Sequence, residues 1–499
     1  MSLNDLSISV IIPVHNGGDD FRRCLRALSL SLDPPLNREL QYAGAERRLT
    51  ERRSAIRDRG DRNLSREQQK YANHRVNDRH AVFTLEDAAL GNEILEGSHL
   101  ESSNLESSNL ESSNLESNNS KSSNSRSNNS ESSNSKSNNL ESNHLESSLG
   151  DLSNRSVGNR PVEIIVVSDG DSDGSWRLAE AYGTRLIRLP QSGGPAKARN
   201  IGAKSASGDI LFFVDADVEV HPDTLSKVVR SFEANPNLAA LIGSYDDAPG
   251  APNFLSQYKN LIHHYTHQKA PLEASTFWGA CGAVRRHVFE EVGGFDESYR
   301  RPCIEDIELG YRLKYAGCQI QLRSDIWVKH LKRWTPKSLL RADIFYRALP
   351  WTDLLRQVQR TKPIFYRRFT RELNLDWRSK ASVVLVFGLT FGLILGLIFG
   401  LASGLMLNGF ASWATPNPVT GFAPAIFGCQ MFNWQMASWL MVLLCGVGLL
   451  LLNLPVYQFF YRKRGWLFAL KTVPWHWLYF LYSGLVYAYT AIRYRLRPG

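Results

Sequence analysis

Two aspartates, one residue apart, follow an apolar run in the stretch ILFFVDADVE, residues 210–219. Asp215 and Asp217 would present hard oxygen ligands, which suit Mg²⁺ or Mn²⁺ held together with a substrate diphosphate. In open α/β sheets, ligands lie outside the carboxyl ends of parallel strands, and this pair is expected at such an end. A loop with two solvated acids is the alternative, because the Asp-x-Asp triplet alone is common.

Strand-like and helix-like segments alternate around this pair. The apolar segments SISVIIPV, EIIVVSDG, TRLIRL and DILFFVDAD are each followed by a segment of helical character. Such alternation predicts an α/β domain with a mostly parallel sheet and helices on both faces. Because the carboxyl ends of parallel strands share one edge, Asn16 and Asp169 are expected beside Asp215 and Asp217.

Composition and net charge limit the classes of partner that the sequence predicts. The chain has 499 residues and a formal net charge of +9, which indicates nucleic acid or an anionic membrane surface as a neighbour. We expect the bilayer as partner, and nucleic acid is not expected. Six cysteines without a CxxC pair favour reduced thiols over a disulfide framework or a zinc site. The N-terminus has no basic region followed by an apolar one, so no signal peptide is predicted.

A low-complexity segment interrupts the α/β pattern. Residues 100–149 repeat a five-residue unit, LESSN, that drifts into SKSSN and SRSNN. A period of five gives neither a helical stripe nor one face of a strand. Serine and asparagine dominate, so the segment is predicted to be disordered. With the charged stretch 45–80 it is expected to form an insert over residues 38–157, which could also dock a partner or anionic lipid.

The C-terminal third contains three apolar segments. Residues 382–407 carry no charge, and at ~1.5 Å per residue they can cross a ~30 Å hydrocarbon core. Residues 437–454 form a second segment of marginal length, and residues 472–492, rich in Trp and Tyr, form a third. Glycines recur every four residues from Gly388 to Gly404, which permits close packing against the second span or dimerisation.

Lysine and arginine predict the orientation in the membrane. Basic segments precede the first span (356–380) and follow the second (461–464), whereas residues 408–436 contain no Lys or Arg. We therefore expect a multi-pass protein of the cell membrane with its N-terminal domain in the cytoplasm. If the third segment spans, the final RYRLRPG ends outside, so an interfacial or re-entrant position stays open. Residues 337–357, which include Arg341 and Arg347, predict either an amphipathic helix on anionic lipid or a helix packed on the soluble domain.

The predicted domains follow from these segments. A catalytic domain comprises residues 1–37 and 158–335, and the insert comprises residues 38–157. Basic interfacial helices follow over residues 336–380. A membrane region with two or three helices occupies residues 381–499.

The chain resembles family 2 glycosyltransferases with the GT-A fold. The resemblance covers about residues 7–335 apart from the insert, and it is carried by an ordered set of motifs: SVIIPVHN, EIIVVSDGDSDGS, GGPAKARNIGA, FFVDAD, WGACGAVRR and EDIELGYRL. It implies a nucleoside-diphosphate sugar donor, a divalent metal (Mn²⁺ or Mg²⁺) and inversion at the anomeric carbon. The C-terminal membrane region is similar to that of the many members that glycosylate lipids or lipid carriers.

Roles on the nucleotide side follow from the resemblance. Pro13, Val14 and Asn16 match the loop that frames the nucleotide, and Asp169 matches the acid that hydrogen-bonds the nucleobase. Ser168 stands where the family often has Asp, which leaves the preferred nucleobase open.

Two further motifs match the donor site. Lys197 and Arg199 lie where basic residues approach the nucleotide, although a solvated helix face would also explain them. Gly279 to Gly282 match the loop that shapes the site for donor sugar and acceptor.

The acidic motifs carry the chemistry. Asp215 and Asp217 match the metal-binding pair, with Asp215 also facing the donor and Asp217 in direct contact with the metal. Asp306 matches the general base, and Glu305 beside it is the alternative; acids at a helix N-terminus are also favoured by the helix dipole alone. His330 matches a third metal ligand, and a structural histidine is the alternative.

These features predict a membrane-anchored inverting glycosyltransferase. It would transfer a sugar to a membrane lipid or polyprenyl-phosphate acceptor at the cytoplasmic face. A processive polysaccharide synthase is one alternative, although His330 replaces the Gln of the processive QxxRW motif. A non-catalytic scaffold that binds nucleotide or lipid is the other.

Overall fold

The computed structural model describes residues 6–32, 152, 155–157, 160–362, 377–412 and 422–496, and the side chains of residues 155, 406–412 and 422–431 are not described. The five-residue repeat and almost all of the predicted insert lie outside the described residues. The disorder predicted for the repeat therefore stays a prediction. Part of the basic stretch before the first apolar segment, residues 363–376, also lies outside them.

The described strands form one mixed sheet. They are β1 (Ile8–Val14), β2 (Arg155–Val157), β3 (Arg160–Asp169), β4 (Arg185–Leu189), β5 (Ile210–Val214), β6 (Val218–Val220), β7 (Leu238–Tyr245), β8 (Cys281–Arg285) and β9 (Gln319–His330). Their order is β3-β1-β5-β8-β7-β9-β6, and β2 and β4 both pair with β3. The pairs β3–β4, β1–β3, β1–β5 and β7–β9 are parallel. The predicted α/β fold is therefore confirmed, with antiparallel strands β2, β6 and β8 making the sheet mixed.

Helices cover both faces of this sheet. In the α/β domain they are α1 (Gly18–Leu32), α2 (Ser175–Ala181), α3 (Pro195–Ser205), α4 (Thr224–Ala234), α5 (Phe254–Lys269), α6 (Arg286–Glu291) and α7 (Glu305–Tyr315). Strand β5 is apolar at every position because successive side chains enter two different cores. On β5, Phe212 and Val214 belong to one core cluster, whereas Leu211 and Phe213 belong to the other.

The sheet extends into the last residues of the predicted insert. Strand β2 pairs antiparallel with the first residues of β3. Leu152 is fully buried, and its backbone N–H donates to the carbonyl of Tyr182 at 2.8 Å. The α/β domain thus resumes a few residues before position 158.

A helical stretch links this domain to the apolar helices. It consists of α8 (Pro336–Arg341), a π-helical segment (Ala342–Ala348) and α9 (Leu349–Thr361). Leu339 packs with Leu255 and Trp334, and Val358 packs with Tyr311. The stretch predicted as amphipathic therefore packs one side on the α/β domain, while Phe345 stays 60% exposed.

Two long apolar helices form a hairpin. They are α10 (Trp377–Ser412) and α11 (Phe422–Leu452), and within the described residues they contain two candidate membrane spans, Trp377–Leu405 and Phe432–Leu452. The glycine ridge of α10 faces α11. A Cβ added at Gly388 would lie 2.9 Å from Cys445 Sγ, and one at Gly392 would lie 3.0 Å from Met441. Packing within the hairpin thus accounts for the ridge.

The last two helices return to the α/β domain. They are α12 (Leu454–Arg464) and α13 (Trp466–Leu496). Arg464, just before α13, donates to the Asp247 carbonyl at 2.7 Å. In the middle of α13, Tyr482 donates to Asp343 at 2.8 Å, and near its end the Tyr494 carbonyl accepts from Arg360 at 3.0 Å. The middle and the end of α13 therefore contact the α8–α9 stretch, and Phe480 in its middle also packs against Val386 of α10 and Leu449 of α11.

Candidate active site

Three neighbouring parallel strands end at one edge of the sheet. Strand β1 lies between β3 and β5, and the register places Val14 opposite Ser168. His15 Nδ1 lies 2.7 Å from the carbonyl oxygen of Asp169. The polar residues that follow β1, β3 and β5 therefore meet at this edge, as the sequence predicts.

Asn16 joins the loops that follow β1 and β3. Its Oδ1 accepts the Ser172 N–H at 2.8 Å and the Asp173 N–H at 3.3 Å. Its φ of 53° lies in the left-handed region, which Asn tolerates better than most residues. Pro13 and Val14 are the last residues of β1, and Val14 is buried in the core. The expected nucleotide contacts of these residues stay predictions.

Asp169 holds the glycine-rich loop that leads into α3. Its buried carboxylate accepts the Gly193 N–H at 2.7 Å, the Gly194 N–H at 2.9 Å and the Ser192 hydroxyl at 2.8 Å. Three donors fix the carboxylate firmly, so in this arrangement Asp169 shapes the loop. Lys197, one turn into α3, is exposed. Base recognition by Asp169 stays a prediction.

Arg199 connects the two acidic motifs. Its side chain is buried, with Nη2 2.7 Å from Asp215 Oδ1 and Nη1 2.9 Å from Glu305 Oε1. Burial lowers the pKa of Arg199, but the charges of Asp215 and Glu305 raise it more, so the guanidinium stays charged. Gly279 makes room for it, because a Cβ there would lie 2.9 Å from Arg199 Cζ. The end of β5 and the start of α7 are thereby held together.

Asp217 and His330 come together at the other side of the Asp-x-Asp motif. Val218 pairs with His330 in the β6–β9 ladder, and the Leu331 N–H donates to the Asp217 carbonyl at 2.9 Å. Asp217 Oδ2 lies 3.7 Å from both His330 Nε2 and Lys332 Nζ. Burial raises the pKa of Asp217, but the charges of His330 and Lys332 outweigh burial and hold it below its usual range.

The donor set at this edge fits part of a divalent-metal site. Within the described residues, no group of three or more His, Cys, Asp or Glu side chains is placed to hold an ion. Asp217 and His330 offer one carboxylate and one imidazole, a pair that suits Mn²⁺ when substrate phosphates and water complete the shell. Asp215 instead directs its carboxylate to Arg199.

Asp306 has the environment of a general base. It is half-buried in the first turn of α7, where Oδ2 accepts the Gly279 N–H at 3.1 Å and Oδ1 accepts the Ile307 N–H at 2.8 Å. Burial, followed by the charge of Glu305, raises the pKa of Asp306 to about 7. A carboxylate with such a pKa exchanges its proton near neutral pH, which suits proton abstraction.

Glu305 and Gly282 have packing roles in this structure. Glu305 is buried, pairs with Arg199, and accepts the Cys303 N–H at 2.8 Å. A Cβ at Gly282 would lie 2.4 Å from the Trp278 carbonyl oxygen, so only glycine fits there. Glu305 therefore positions α7, and its role as an alternative base stays a prediction.

Sequence reasoning missed an aromatic cluster behind His330. The His330 ring stacks on Tyr245, with centroids 4.6 Å apart and planes 14° apart, and Tyr245 also contacts Trp278 and His263. Burial, followed by the charges of Asp217 and Asp215, raises the pKa of Tyr245, and Asp306 adds to this effect. Tyr245 therefore lies near both acidic motifs. The only sequence signal was the apolar position of Tyr245 at the end of β7.

Comparison with known proteins agrees with this fold. Residues 141–293 match the family model "Glycosyl transferase family 2", and residues 259–333 match "N-terminal domain of galactosyltransferase". The chain therefore contains a family 2 glycosyltransferase domain with the GT-A fold. The matched range begins near the end of the predicted insert and so does not include β1. Strand β1 precedes the insert in sequence and pairs with β3 and β5 in the same sheet.

Curated relatives match in part. The pre-mycofactocin glycosyltransferase of Mycobacterium tuberculosis is 25% identical over 214 residues, covering 41% of this chain and 45% of the relative. Validoxylamine A glucosyltransferase of Streptomyces hygroscopicus subsp. limoneus is 24% identical over 213 residues, covering 36% and 47%. The chain thus spans about half the length of these relatives.

This chain aligns with a solved structure at a TM-score of 0.33. That structure is the mannosyltransferase PcManGT from Pyrobaculum calidifontis in complex with GDP-Man and Mn²⁺. The aligned residues are 18% identical and cover 58% of this chain and 78% of that one.

Proposed function

We propose that this protein is a membrane-anchored inverting glycosyltransferase. It transfers a sugar from a nucleoside-diphosphate sugar to a lipid or polyprenyl-phosphate acceptor at the cytoplasmic face of the cell membrane. The observation that carries the proposal is the buried Arg199, which pairs with Asp215 at 2.7 Å and with Glu305 at 2.9 Å. This bridge brings the donor-side acids and the helix that bears Asp306 into one site within a family 2 domain.

On the donor side, the residues present a cradle for an anionic nucleotide. Asp169 fixes the loop 192–194 before α3, and Lys197 extends from the same helix towards solvent. Asp217 and His330 would hold a divalent cation with the diphosphate. Such an ion, when bound, stabilises the negative charge that builds on the leaving diphosphate.

On the acceptor side, Asp306 accepts the proton when the attacking group is a lipid hydroxyl, whereas a polyprenyl phosphate attacks through an oxygen that is already deprotonated. The acceptor oxygen forms a bond to the anomeric carbon while the bond from that carbon to the diphosphate oxygen breaks. Attack from the face opposite the leaving group inverts the anomeric configuration. The pKa of Asp306, raised to about 7 by burial and by Glu305, makes the carboxylate more basic than an exposed aspartate.

A position in the membrane is supported by the apolar helices. The segments Trp377–Leu405 and Phe432–Leu452 are each long enough and apolar enough to cross a bilayer. Lipid would cover the exposed apolar residues that recur along one side of α13: Trp466, Leu467, Leu470, Leu485, Tyr489, Ile492 and Leu496.

The contacts of α13 favour an interfacial position for the third apolar segment. Both ends of the helix meet elements on the α/β side, through Arg464 with Asp247 at the start and Arg360 with Tyr494 at the end. A helix that crossed the bilayer would carry one of these ends to the opposite face. Arg493 and Arg495 then remain on the cytoplasmic side, in keeping with the charge rule that the two spans obey.

The test is sugar transfer to lipid by membranes that contain the protein. Membranes are incubated with a panel of nucleoside-diphosphate sugars and Mn²⁺, and the extracted lipids are analysed for a gain of one sugar mass. We expect one donor to give a product with wild-type protein and none with the Asp306→Asn variant. Asp223→Asn, which changes an exposed aspartate at the start of α4, is the matched control. Donor hydrolysis without any glycosylated lipid would contradict the lipid acceptor, and an active Asp306→Asn variant would contradict the assigned base.

A further inference from the structure

A cavity of about 300 Å³ lies between α9 and the last turns of α13, remote in sequence from the acidic motifs. It is lined by Arg356, Gln359, Arg360, Ala491, Tyr494 and Arg495. Three of these six residues carry a guanidinium group, and none is acidic. Such a lining repels itself unless an anion offsets the charge.

Two of the three guanidinium groups are held in place by aromatic rings. Arg356 Cζ lies 4.7 Å from the Tyr487 ring centroid, and Arg360 Cζ lies 4.9 Å from that of Tyr494. Stacking fixes the plane of a guanidinium, and a fixed plane favours bidentate binding of phosphate oxygens.

The donors of these arginines are only partly used. Arg356 Nη1 donates to Gln359 at 3.0 Å, and Arg360 Nη2 donates to the Tyr494 carbonyl at 3.0 Å. Each guanidinium has five N–H groups, and Arg356 Nε is buried without a hydrogen-bond partner among the described residues. A buried donor without a partner is costly, and an oxygen-rich ligand would remove that cost.

The two helices that line the cavity contain one acid, Asp353, which can offset only one of the three lining arginines. Asp353 lies one turn before Arg356 on α9, and its nearest ion pair is with Arg493 at 3.9 Å, outside the lining. On the described helices α9 and α13, at least two of the three positive charges of the lining therefore lack an acid to offset them.

The surroundings of the cavity indicate the source of that ligand. Apolar residues on the last turns of α13 are exposed beside it, with Ile492 at 57% and Leu496 at 76% exposure. Aromatic and apolar residues next to arginines are typical of the headgroup level of a bilayer. We propose that this cavity binds the phosphate of an anionic phospholipid in the cytoplasmic leaflet. The inference rests on the interfacial position of α13 in the proposed function, and it adds a lipid site separate from the acceptor site.

The experiment compares lipid binding by two variants that lose the same charge. The first carries Arg356→Gln, Arg360→Gln and Arg495→Gln, and the control carries Arg378→Gln, Lys380→Gln and Arg462→Gln at exposed positions near the same membrane face. The full-length proteins, purified in neutral detergent, are titrated with dioctanoyl-phosphatidylglycerol, dioctanoyl-phosphatidylcholine or inorganic phosphate. Bound lipid is counted by native mass spectrometry.

Wild type and control are expected to bind one phosphatidylglycerol more tightly than phosphatidylcholine. At roughly fivefold per lost charge, the cavity variant should bind phosphatidylglycerol about 100-fold more weakly than wild type. Equal binding by the cavity variant and the control would overturn the site. Displacement of the lipid by inorganic phosphate at equal concentration would show a free-anion site and overturn the lipid assignment.

Two further arms keep the outcome unambiguous. If the glutamine variant does not fold, a variant with lysine at the same three positions keeps the charge but loses the planar fork, and about tenfold weaker binding is expected. Unchanged binding by this lysine variant would overturn the proposal. Carbonate extraction of wild-type membranes separates the two hypotheses. Release of the protein from the membrane contradicts the membrane position. Retention of the protein, together with unchanged phosphatidylglycerol binding by the cavity variant, contradicts only the lipid site.

Discussion

Apolar side chains have opposite surroundings in the α/β domain and in the hairpin of α10 and α11. Phe212 and Phe213 of β5 are fully buried, whereas Leu401 and Leu405 of α10 are 69% and 74% exposed. Large exposed apolar surfaces mark an interaction with another molecule or with a membrane. The apolar side chains of β5 are therefore covered within the protein, whereas those of the hairpin are left for such an interaction.

The two regions also differ in what holds them together. In the α/β domain a buried ion network, Asp215–Arg199–Glu305, joins distant elements. In the hairpin, close approach of backbones at Gly388 and Gly392 replaces such networks. A charged bridge thus positions the elements of the candidate site, whereas small-residue packing joins the two apolar helices.

Breaking the ion network should give the largest effect. Arg199→Met leaves Glu305 buried and the partly exposed Asp215 without their shared partner, and an unpaired buried charge typically costs about 3–5 kcal/mol. Thermal or denaturant unfolding of the variant should show this loss, and sugar transfer should be lost with it. Arg26→Met, at an exposed position of α1, is the control and should unfold like wild type. A stable and active Arg199→Met variant would show that the bridge does not build the site.

Overpacking the glycine ridge tests the other region. Gly392→Leu forces a side chain against Met441, Val442 and the Ser438 carbonyl, at a cost of about 1–3 kcal/mol. Gly404→Leu is the matched control, because a Cβ at Gly404 has no neighbour within 4 Å among the side chains that the structure describes. Thermal unfolding in detergent should separate the two variants. If both behave alike, the hairpin is held by something other than the ridge.

The pH dependence of transfer reports Asp306. Because the pKa of Asp306 is raised to about 7, kcat/KM should rise about tenfold per pH unit below that value and level off above it. The sign for stability is opposite. The pKa of Asp306 in the unfolded chain is ~3.9, so the neutral form contributes stability that is complete below that value and is lost as the pH rises through about 7. Asp306→Asn should therefore unfold at higher temperature than wild type at alkaline pH only, and a lower unfolding temperature there would contradict the raised pKa.

His330→Ala is expected to have the smallest effect on turnover. Asp217 and the substrate phosphates would still hold the metal, so the loss should be visible as an increase of about tenfold in the Mn²⁺ concentration for half-maximal turnover. His287→Ala, at an exposed position of α6, is the control. Identical Mn²⁺ dependence of the two variants would leave His330 as a structural partner of Tyr245.

Much of the fold could be predicted because its signals are local. The apolar runs of β1, β3 and β5 and the polar residues after them predicted three parallel strands with a shared edge, and the β-ladders confirm it. The glycine spacing of α10 likewise predicted close helix packing, either against the second span or between two copies of the chain. The structure shows packing on α11.

The remaining features depend on contacts between distant residues. Arg199 was predicted at the nucleotide, but its partners lie 16 and 106 residues away, and no local pattern indicates them. The stacking of Tyr245 on His330 and the path of α13 across the α/β domain also arise only in the folded chain. Local periodicity determines which residues form a helix or strand, whereas tertiary packing selects their partners.

The central claim, that one site contains both the donor-side acids and the base Asp306, is tested most directly by the Asp306→Asn variant. Donor binding is measured by calorimetry with Mn²⁺ present, and sugar transfer to membrane lipid is measured in parallel. Loss of a general base typically lowers kcat by about 10²–10⁴-fold, while donor affinity should stay within about twofold because Asp306 faces the acceptor. Retention of most of the transfer activity would contradict the claim and would make Glu305 the next residue to test.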